Sequence, residues 1–224
     1  MSVKTVLAIA PHPDDETLGC GGSLLRHRAE GDQVHWLIVT EATMVIGADE
    51  HRVFERNREI ETVAGHYGFA GVHRLGFSAA AIDRVPISDL VSALASMIAA
   101  THAETLYIPF AGDVHSDHGV VAAACISACK SFRQPSVRRM RAYETLSETE
   151  FQAGPGMAAF QPNLFIDITP YLAQKVAAMR VYGSEMAPFP FPRSEEAIRA
   201  LAAFRGSTAG CLAAEAFMSL REFL

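Results

Sequence analysis

The chain has 224 residues, of which 50% are hydrophobic and 20% charged, and its formal net charge is −6 at pH 7. This balance is typical of a soluble globular protein and excludes long disordered or fibrous stretches. The negative charge and the short, broken basic runs argue against a nucleic-acid partner, because phosphate binding needs grouped Lys and Arg side chains. The length favours a single domain over residues 1–224, without repeats or linkers.

The N-terminal run and the cysteines predict the compartment. The first apolar run covers only about six residues before Pro11, which is too short for a signal peptide. No stretch approaches the roughly 20 apolar residues of a membrane span. The cysteine spacing fits neither a disulfide framework nor a paired CxxC zinc site, so we expect buried thiols in a cytoplasmic protein. The four are Cys20, Cys125, Cys129 and Cys211.

Short apolar strands alternate with helices in the first part of the chain. The run at 3–10 is β-branched and apolar and ends at a proline, as is typical of a buried parallel strand. The segment PHPDDETLGCGG that follows is predicted to be a loop. Such alternation predicts a Rossmann-like α/β fold with three layers, α/β/α, a mostly parallel sheet, and ligands at the carboxyl ends of the strands. We predict strands at 3–10, 34–40, 72–76 and 105–109, and helices at 23–30, 49–67, 87–101 and 120–132.

The rest of the chain is less regular. Its apolar runs predict strands at 139–146 and 163–168 and helices at 171–182 and 194–205. The segment PFPFP is expected to be extended, because proline fixes its own backbone angle and restricts the residue before it. The stretch from Pro188 to Arg193 is expected to form part of a wall or lid near the site.

The first candidate site is His12-Pro13-Asp14-Asp15-Glu16, directly after the first predicted strand. Three acids next to an imidazole repel one another, so a divalent cation among them is one explanation. Helix capping is the other, with Asp14 or Asp15 as the N-cap and Glu16 favoured by the helix dipole. This segment alone leaves both explanations open.

The second candidate site is His115-Ser116-Asp117-His118, which also follows a predicted buried strand and opens a helix. Because both segments follow strands of one predicted sheet, they can converge on one crevice. Together they offer three imidazoles and several carboxylates, a ligand set that suits zinc when one position is kept for water. The other histidines are isolated, and we expect them to be surface or structural residues.

The two segments together resemble the LmbE-like or PIG-L deacetylases, which include glucosaminyl-phosphatidylinositol de-N-acetylases. Similar stretches elsewhere cover most of the chain, namely GCGG at 19–22, RNRE at 56–59, and PNLFIDI at 162–168 with Lys175 and Tyr182 behind it. The resemblance implies a hydrolase with one Zn²⁺ per chain that removes the acetyl group from a small N-acetylated sugar. Relatives of this size often associate, so a homo-oligomer is also expected.

The family pattern also implies roles for individual residues. His12 and Asp15 from the first motif and His118 from the second bind the zinc. Asp14, beside the metal, is the base. This division suits the chemistry, because a metal acidifies the attacking water and a nearby carboxylate can take its proton.

The resemblance extends to the substrate side. His115, as an imidazolium, stabilises the oxyanion or protonates the departing amine, and Asp117 orients it unless it only caps its helix. Arg56 contacts the sugar, or else only pairs with Glu59 on the helix surface. Asp113 is expected to line the pocket.

Several alternatives stay open from the sequence. Several sugar deacetylases carry an acidic residue shortly after the third strand, whereas residues 75–80 here are LGFSAA, so the sugar is not identified. A dinucleotide-binding fold is a poor alternative, because its glycines should follow the strand at once and Leu24 stands where the third glycine belongs. A non-catalytic metal- or sugar-binding module and a hydrolase acting on a lipid, nucleotide or antibiotic amide also remain.

Overall fold

The computed structural model describes residues 3–41, 50–153 and 159–223. These residues form a single sheet with helices packed on its two faces. The strands are β1 (Thr5–Ala10), β2 (Gln33–Glu41), β3 (Gly71–Ser78), β4 (Thr105–Pro109), β5 (Arg139–Tyr143), β6 (Leu164–Asp167) and β7 (Ala214–Glu222). The helices are α1 (Asp15–Ala29), α2 (Glu50–Tyr67), α3 (Ile87–Thr101), α4 (Ser116–Ala128), α5 (Leu172–Met179) and α6 (Glu195–Ala209), with 3-10 turns at Ile82–Arg84 and Gly183–Glu185.

The strand order is β3-β2-β1-β4-β5-β7-β6. The first five strands of this order pair in parallel, and β7 runs antiparallel to both of its neighbours. The mostly parallel sheet is therefore confirmed, but the sequence prediction missed β7. This strand is unusual in that Glu215 lies buried within it, where a charge needs a partner from elsewhere in the chain.

Two apolar layers cover the sheet and confirm the three-layer architecture. One core joins the sheet to α1, α2 and α5, with Trp36 of β2 among its fully buried residues. The other joins the sheet to α3 and α4 through residues such as Leu94 and Cys125. All four cysteines are free thiols and three of them are buried. Within the described ranges, no helix combines the length and the apolar character that crossing a membrane requires.

The segment predicted to be a loop is largely helical, because α1 begins at Asp15. Its glycines permit close packing: an added Cβ would lie 2.1 Å from a Tyr143 ring atom at Gly19 and 2.7 Å from Ile168 at Gly22. Glycine has low helix propensity, and this long-range packing outweighs it. The glycines therefore serve helix packing, which removes the basis for a dinucleotide-binding function.

A buried ion pair fastens α1 to the sheet. Glu215 accepts the backbone N–H groups of Gly22 at 2.8 Å and Ser23 at 2.7 Å, and Lys175 Nζ lies 2.7 Å from Glu215 and donates to the Leu18 carbonyl at 2.8 Å. Because each buried charge has its partners, the pair is tolerated, whereas loss of one partner costs about 3–5 kcal/mol. This contact also accounts for the acid within β7.

Other element boundaries differ by a few residues from the sequence prediction. The helix α4 begins at Ser116 and not at residue 120, so the second motif forms its first turn. The strand β3 extends to Ser78, β5 stops at Tyr143, and α6 continues to Ala209. The first residue of the predicted helix 49–67 lies outside the described residues, and the rest is helical.

Candidate metal centre and active-site cavity

The two motifs meet where the strand order changes direction. Because β1 and β4 are parallel neighbours, the segments that follow them leave the same edge of the sheet side by side. The ring centroids of His12 and His115 lie 4.5 Å apart, and those of His12 and His118 lie 5.6 Å apart. Segments about 100 residues apart in sequence thus form one cluster, as parallel α/β topology predicts.

Three side chains of this cluster could hold one metal ion: His12, Asp15 and His118, here called the metal centre. Asp15 Oδ2 lies 3.3 Å from His12 Nδ1 and 3.3 Å from His118 Nε2. The three candidate ligand atoms all lie within 4.8 Å of one another. The structure therefore brings together the three residues named from the sequence as metal ligands.

Two further carboxylates, here called the orienting carboxylates, bond the other ring nitrogens of these histidines. Asp113 Oδ2 lies 2.8 Å from His118 Nδ1, and Asp117 Oδ2 lies 3.0 Å from His12 Nε2. A carboxylate fixes the ring proton on the nitrogen that it contacts, so the opposite nitrogen keeps its lone pair. His12 Nδ1 and His118 Nε2 are therefore the candidate ligand atoms, and both lie 3.3 Å from Asp15 Oδ2.

These contacts correct two sequence predictions. Asp117 was expected to orient His115, but its carboxylate bonds His12 and accepts the Ala80 N–H at 2.7 Å, because the Ile82–Arg84 turn brings that backbone against α4. Asp113 was expected to line the pocket. Its side chain is instead buried behind His118, where Thr149 Oγ1 also donates to it at 2.5 Å.

The surrounding carboxylates stabilise positive charge at the metal centre. Burial alone would lower the pKa of His12, but hydrogen bonds to Asp117 and Asp15 raise it to about 9. Burial would likewise lower the pKa of His118, which the charge of Asp15 and a hydrogen bond to Asp113 raise to about 10. Burial would raise the pKa of Asp15, but His118 and His12 hold it well below the usual range. Without a metal this environment therefore favours protonated rings, and a bound cation would take the place of those protons.

Asp14 occupies the N-cap position of α1, but its side chain makes no capping hydrogen bond. Its φ of 129° is a strained angle for a non-glycine residue, and its carboxylate lies close enough to Asp15 for the two charges to interact. There Oδ2 accepts a hydrogen bond from Arg193 Nη1 at 2.9 Å. Burial and the charge of Asp15 raise the pKa of Asp14 well above its usual value, although Arg193 lowers it. The capping explanation therefore does not account for this side chain.

His115 caps α4, since its Nδ1 accepts the Asp117 backbone N–H at 3.2 Å. In the neutral ring the proton must then reside on Nε2. Burial and the neighbouring His12 and His118 lower the pKa of His115, which favours that neutral form. This differs from the imidazolium expected from the sequence, because the expectation ignored the backbone donor at the start of the helix.

A cavity of about 260 Å³ opens beside the metal centre. Asp14 and His115 line it, together with the uncharged Thr40, Ala79 and Ala80. Three charged residues that also line it, Arg56, Glu185 and Arg193, are here called the arginine wall. The cavity places both residues predicted for proton transfer next to a space that a small ligand can occupy.

Arg56 lies where the resemblance placed it, on the cavity surface. It also makes the predicted pair with Glu59, whose Oε2 lies 3.2 Å from Nη1, and a second pair with Glu185. The predicted pair with Glu59 is therefore present, and contact of Arg56 with the sugar stays a prediction. A side chain can line a cavity on one side and make a helix-surface pair on the other.

Sequence reasoning missed Glu185 and Arg193. Arg193 donates to Ser147 Oγ at 2.7 Å, Asp14 at 2.9 Å and Glu148 at 3.2 Å. The only signal in the sequence was the segment from Pro188 to Arg193, predicted to form a wall or lid near the site without a role for Arg193 itself. These three partners are distant from Arg193 along the chain. A fourth partner, Glu185, is 8 residues before it.

Comparisons with known proteins place the chain among related sequences. Along 217 residues it is 25% identical to the diacetylchitobiose deacetylase of Thermococcus kodakarensis, covering 93% of this chain and 80% of the relative. The conserved protein TT1542 of Thermus thermophilus has a crystal structure that matches with a TM-score of 0.78 at 27% identity, covering 98% of this chain and 96% of that one.

A third match separates fold from reaction. The 4-carboxy-2-hydroxymuconate hydratase GalB of Pseudomonas putida KT2440 has the same fold, with a TM-score of 0.76 at 18% identity over 99% of this chain and 98% of its own. The fold alone therefore does not determine the reaction. The family model for PIG-L, GlcNAc-PI de-N-acetylase, matches residues 7–129. Since this match covers more than half of the sequence and includes both motifs, the chain belongs to the PIG-L family.

Proposed function

We propose that this protein is a zinc-dependent amide hydrolase that removes the acetyl group from an N-acetylated sugar. The proposal depends above all on one observation, the convergence of three ligand atoms from His12, Asp15 and His118 with Asp14 beside them. Membership of the PIG-L family and the deacetylase activity of the Thermococcus relative support the substrate class.

The donor set fits zinc. Two neutral imidazole nitrogens and one carboxylate oxygen, with room for a fourth ligand, are typical of catalytic zinc sites. The orienting carboxylates, Asp113 and Asp117, match the carboxylate–histidine pairs that hold zinc ligands in their tautomers. When bound there, zinc would polarise the amide carbonyl and make the attacking water more acidic.

The remaining steps follow from Asp14 and His115, which line the cavity. Asp14 takes the proton from the attacking water, and Arg193 holds its carboxylate in place. Because burial raises the pKa of Asp14, the acquired proton can pass on to the departing amine. The Nε2–H of His115 donates a hydrogen bond to the carbonyl oxygen as negative charge develops on it.

Substitution of the base tests the proposal. In zinc-loaded Asp14→Asn, we expect acetate release from N-acetylated sugars to fall about 10²–10⁴-fold with unchanged zinc content, because the amide cannot accept the proton. Acetate is measured over N-acetylglucosamine, N,N′-diacetylchitobiose, sugar nucleotides and glycolipids. Asp89→Asn, the same change at an exposed residue of α3, serves as the control and should keep full activity.

The same experiment separates this function from its alternatives. Equal release by Asp14→Asn and the unsubstituted protein would remove the catalytic role of Asp14. No release by either would favour a non-catalytic binding module. Release only from N-acyl compounds without a sugar would retain the hydrolase and replace its substrate class.

A further inference from the structure

The proposed function leaves open whether the acetylated sugar itself carries a phosphate, because guanidinium groups bind hydroxyl and phosphate oxygens alike. We infer that this sugar is neutral and that Glu185 is the residue that selects against phosphorylated sugars. This inference rests on the proposed function and narrows its substrate class.

The position of Glu185 within the arginine wall is the first observation. Its Oε1 pairs with Arg56 Nη2, and its Oε2 accepts a hydrogen bond from Arg193 Nη1 at 3.1 Å. One carboxylate thus joins two guanidinium groups that come from α2 and from the segment before α6. Since all three residues line the cavity, a ligand that reaches them meets one carboxylate between two guanidinium groups.

The charges around the arginine wall are the second observation. Besides Glu185, Arg56 pairs with Glu59 at 3.2 Å, and Arg193 pairs with Asp14 at 2.9 Å and Glu148 at 3.2 Å. Two guanidinium groups therefore contact four carboxylates. An entering phosphate would compete with these acids for the arginines and would be repelled by them.

The adjoining recess does not change this balance. It has a volume of about 50 Å³ and shares Arg56 with the main cavity. Its lining adds one further base, Arg74, and one further acid, Glu41. Arg74 Nη1 donates to Asn57 Oδ1 at 2.6 Å. A phosphate placed in this recess would again meet an arginine and a glutamate together.

Hydroxyl groups suit such a wall better than phosphate does. A hydroxyl group both donates and accepts hydrogen bonds, so it can bond Glu185 and a neighbouring guanidinium at once. A phosphate dianion only accepts, so it offers the Glu185 carboxylate no donor and is repelled by it. Among the other lining residues, Ala79 and Ala80 offer neither charge nor side-chain hydrogen bonds, and the buried Thr40 hydroxyl donates to the Pro11 carbonyl at 2.8 Å. Recognition of the hydroxyl groups therefore falls to the arginine wall.

The test compares one pair of substrates that differ by a phosphate. For zinc-loaded full-length protein, kcat/KM is measured with N-acetylglucosamine and with its 6-phosphate. We expect the unsubstituted protein to prefer the neutral sugar. In Glu185→Gln, which keeps the shape and removes one negative charge, the neutral-to-phosphorylated ratio should fall about tenfold, because a nearby like charge is lost.

Glu222→Gln is the matched control. It makes the same change in net charge, but Glu222 pairs with Arg139 at the start of β5. This pair lies at the end of the strands opposite the cavity. The ratio should stay as in the unsubstituted protein. A binding measurement accompanies the kinetics: calorimetry with glucosamine and glucosamine 6-phosphate should give the same shift in relative affinity for Glu185→Gln.

Two results would overturn the inference while leaving the proposed function intact. One is a preference of the unsubstituted protein for the phosphorylated sugar. The other is an equal loss with both sugars in Glu185→Gln, which would mean that Glu185 acts only by holding Arg193 against Asp14. Absence of acetate release from every N-acetylated sugar in the wider panel would contradict the proposed function itself, and this inference with it.

Discussion

The metal centre and the arginine wall are built from different kinds of segment. The metal centre and both orienting carboxylates come from two short stretches, 12–15 and 113–118. The arginine wall takes one residue each from α2, the Gly183–Glu185 turn and the segment before α6. The first side is positioned by the ends of two neighbouring strands, β1 and β4. The second depends on contacts between distant parts of the chain. Substitutions on the two sides should therefore have different effects: loss of metal on one, and altered turnover or substrate choice with the metal retained on the other.

The largest effect is expected from His118→Gln, which removes a ligand from the metal centre. Zinc content should fall from one per chain to near zero, and acetate release should be abolished, because two remaining ligands hold the ion poorly. Elemental analysis after dialysis and the acetate assay measure both quantities. His66→Ala changes an exposed residue of α2. It is the control and should bind zinc normally. Full zinc content in His118→Gln would refute the proposed ligand set.

A smaller effect on the same side is expected from Asp113→Asn. The amide keeps a hydrogen bond to His118 Nδ1 but loses the negative charge that makes the imidazole a stronger ligand. The Kd for zinc should rise about 10–100-fold, as is usual for such partners. Competition with a chromophoric chelator measures this Kd. An unchanged Kd, or a change only in the KM for the sugar, would return Asp113 to the pocket-lining role expected from the sequence.

The same difference between the two sides explains what the sequence could predict. The convergence of the two motifs was predicted because both follow apolar strands, and parallel topology brings strand ends together. The choice of His12, Asp15 and His118 as ligands came from the family resemblance. The partners of Asp113 and Asp117 were not predicted correctly. A carboxylate near two histidines can bond either one, and the choice depends on how the loop after β4 and the Ile82–Arg84 turn fold.

The arginine wall and β7 could not be found from local patterns. Arg193 and Asp14 are 179 residues apart, and Glu215 and Ser23 are 192 residues apart. In both cases a charged residue is stabilised by a partner from a distant element, so its neighbours in sequence carry no signal. The glycines of α1 were misjudged for a related reason, since their low helix propensity is offset by packing against Tyr143 and Ile168.

The smallest expected effect, from Arg193→Lys, tests the independence of the two sides. An ammonium group keeps the charge but cannot bond Asp14, Glu148 and Glu185 in the three directions that a guanidinium group reaches. We expect kcat to fall about tenfold through misplacement of the base, while the Kd for zinc stays unchanged.

Arg199→Lys, which alters a pair with Glu195 on exposed α6, is the control for the substitution itself. Addition of guanidinium ions to Arg193→Ala supplies a second readout, since a group that positions Asp14 should restore part of kcat in a saturable manner, whereas a purely structural defect should not respond. Weaker zinc binding in Arg193→Lys would mean that the arginine wall also supports the metal centre, and the separation between the two sides of the cavity would fail.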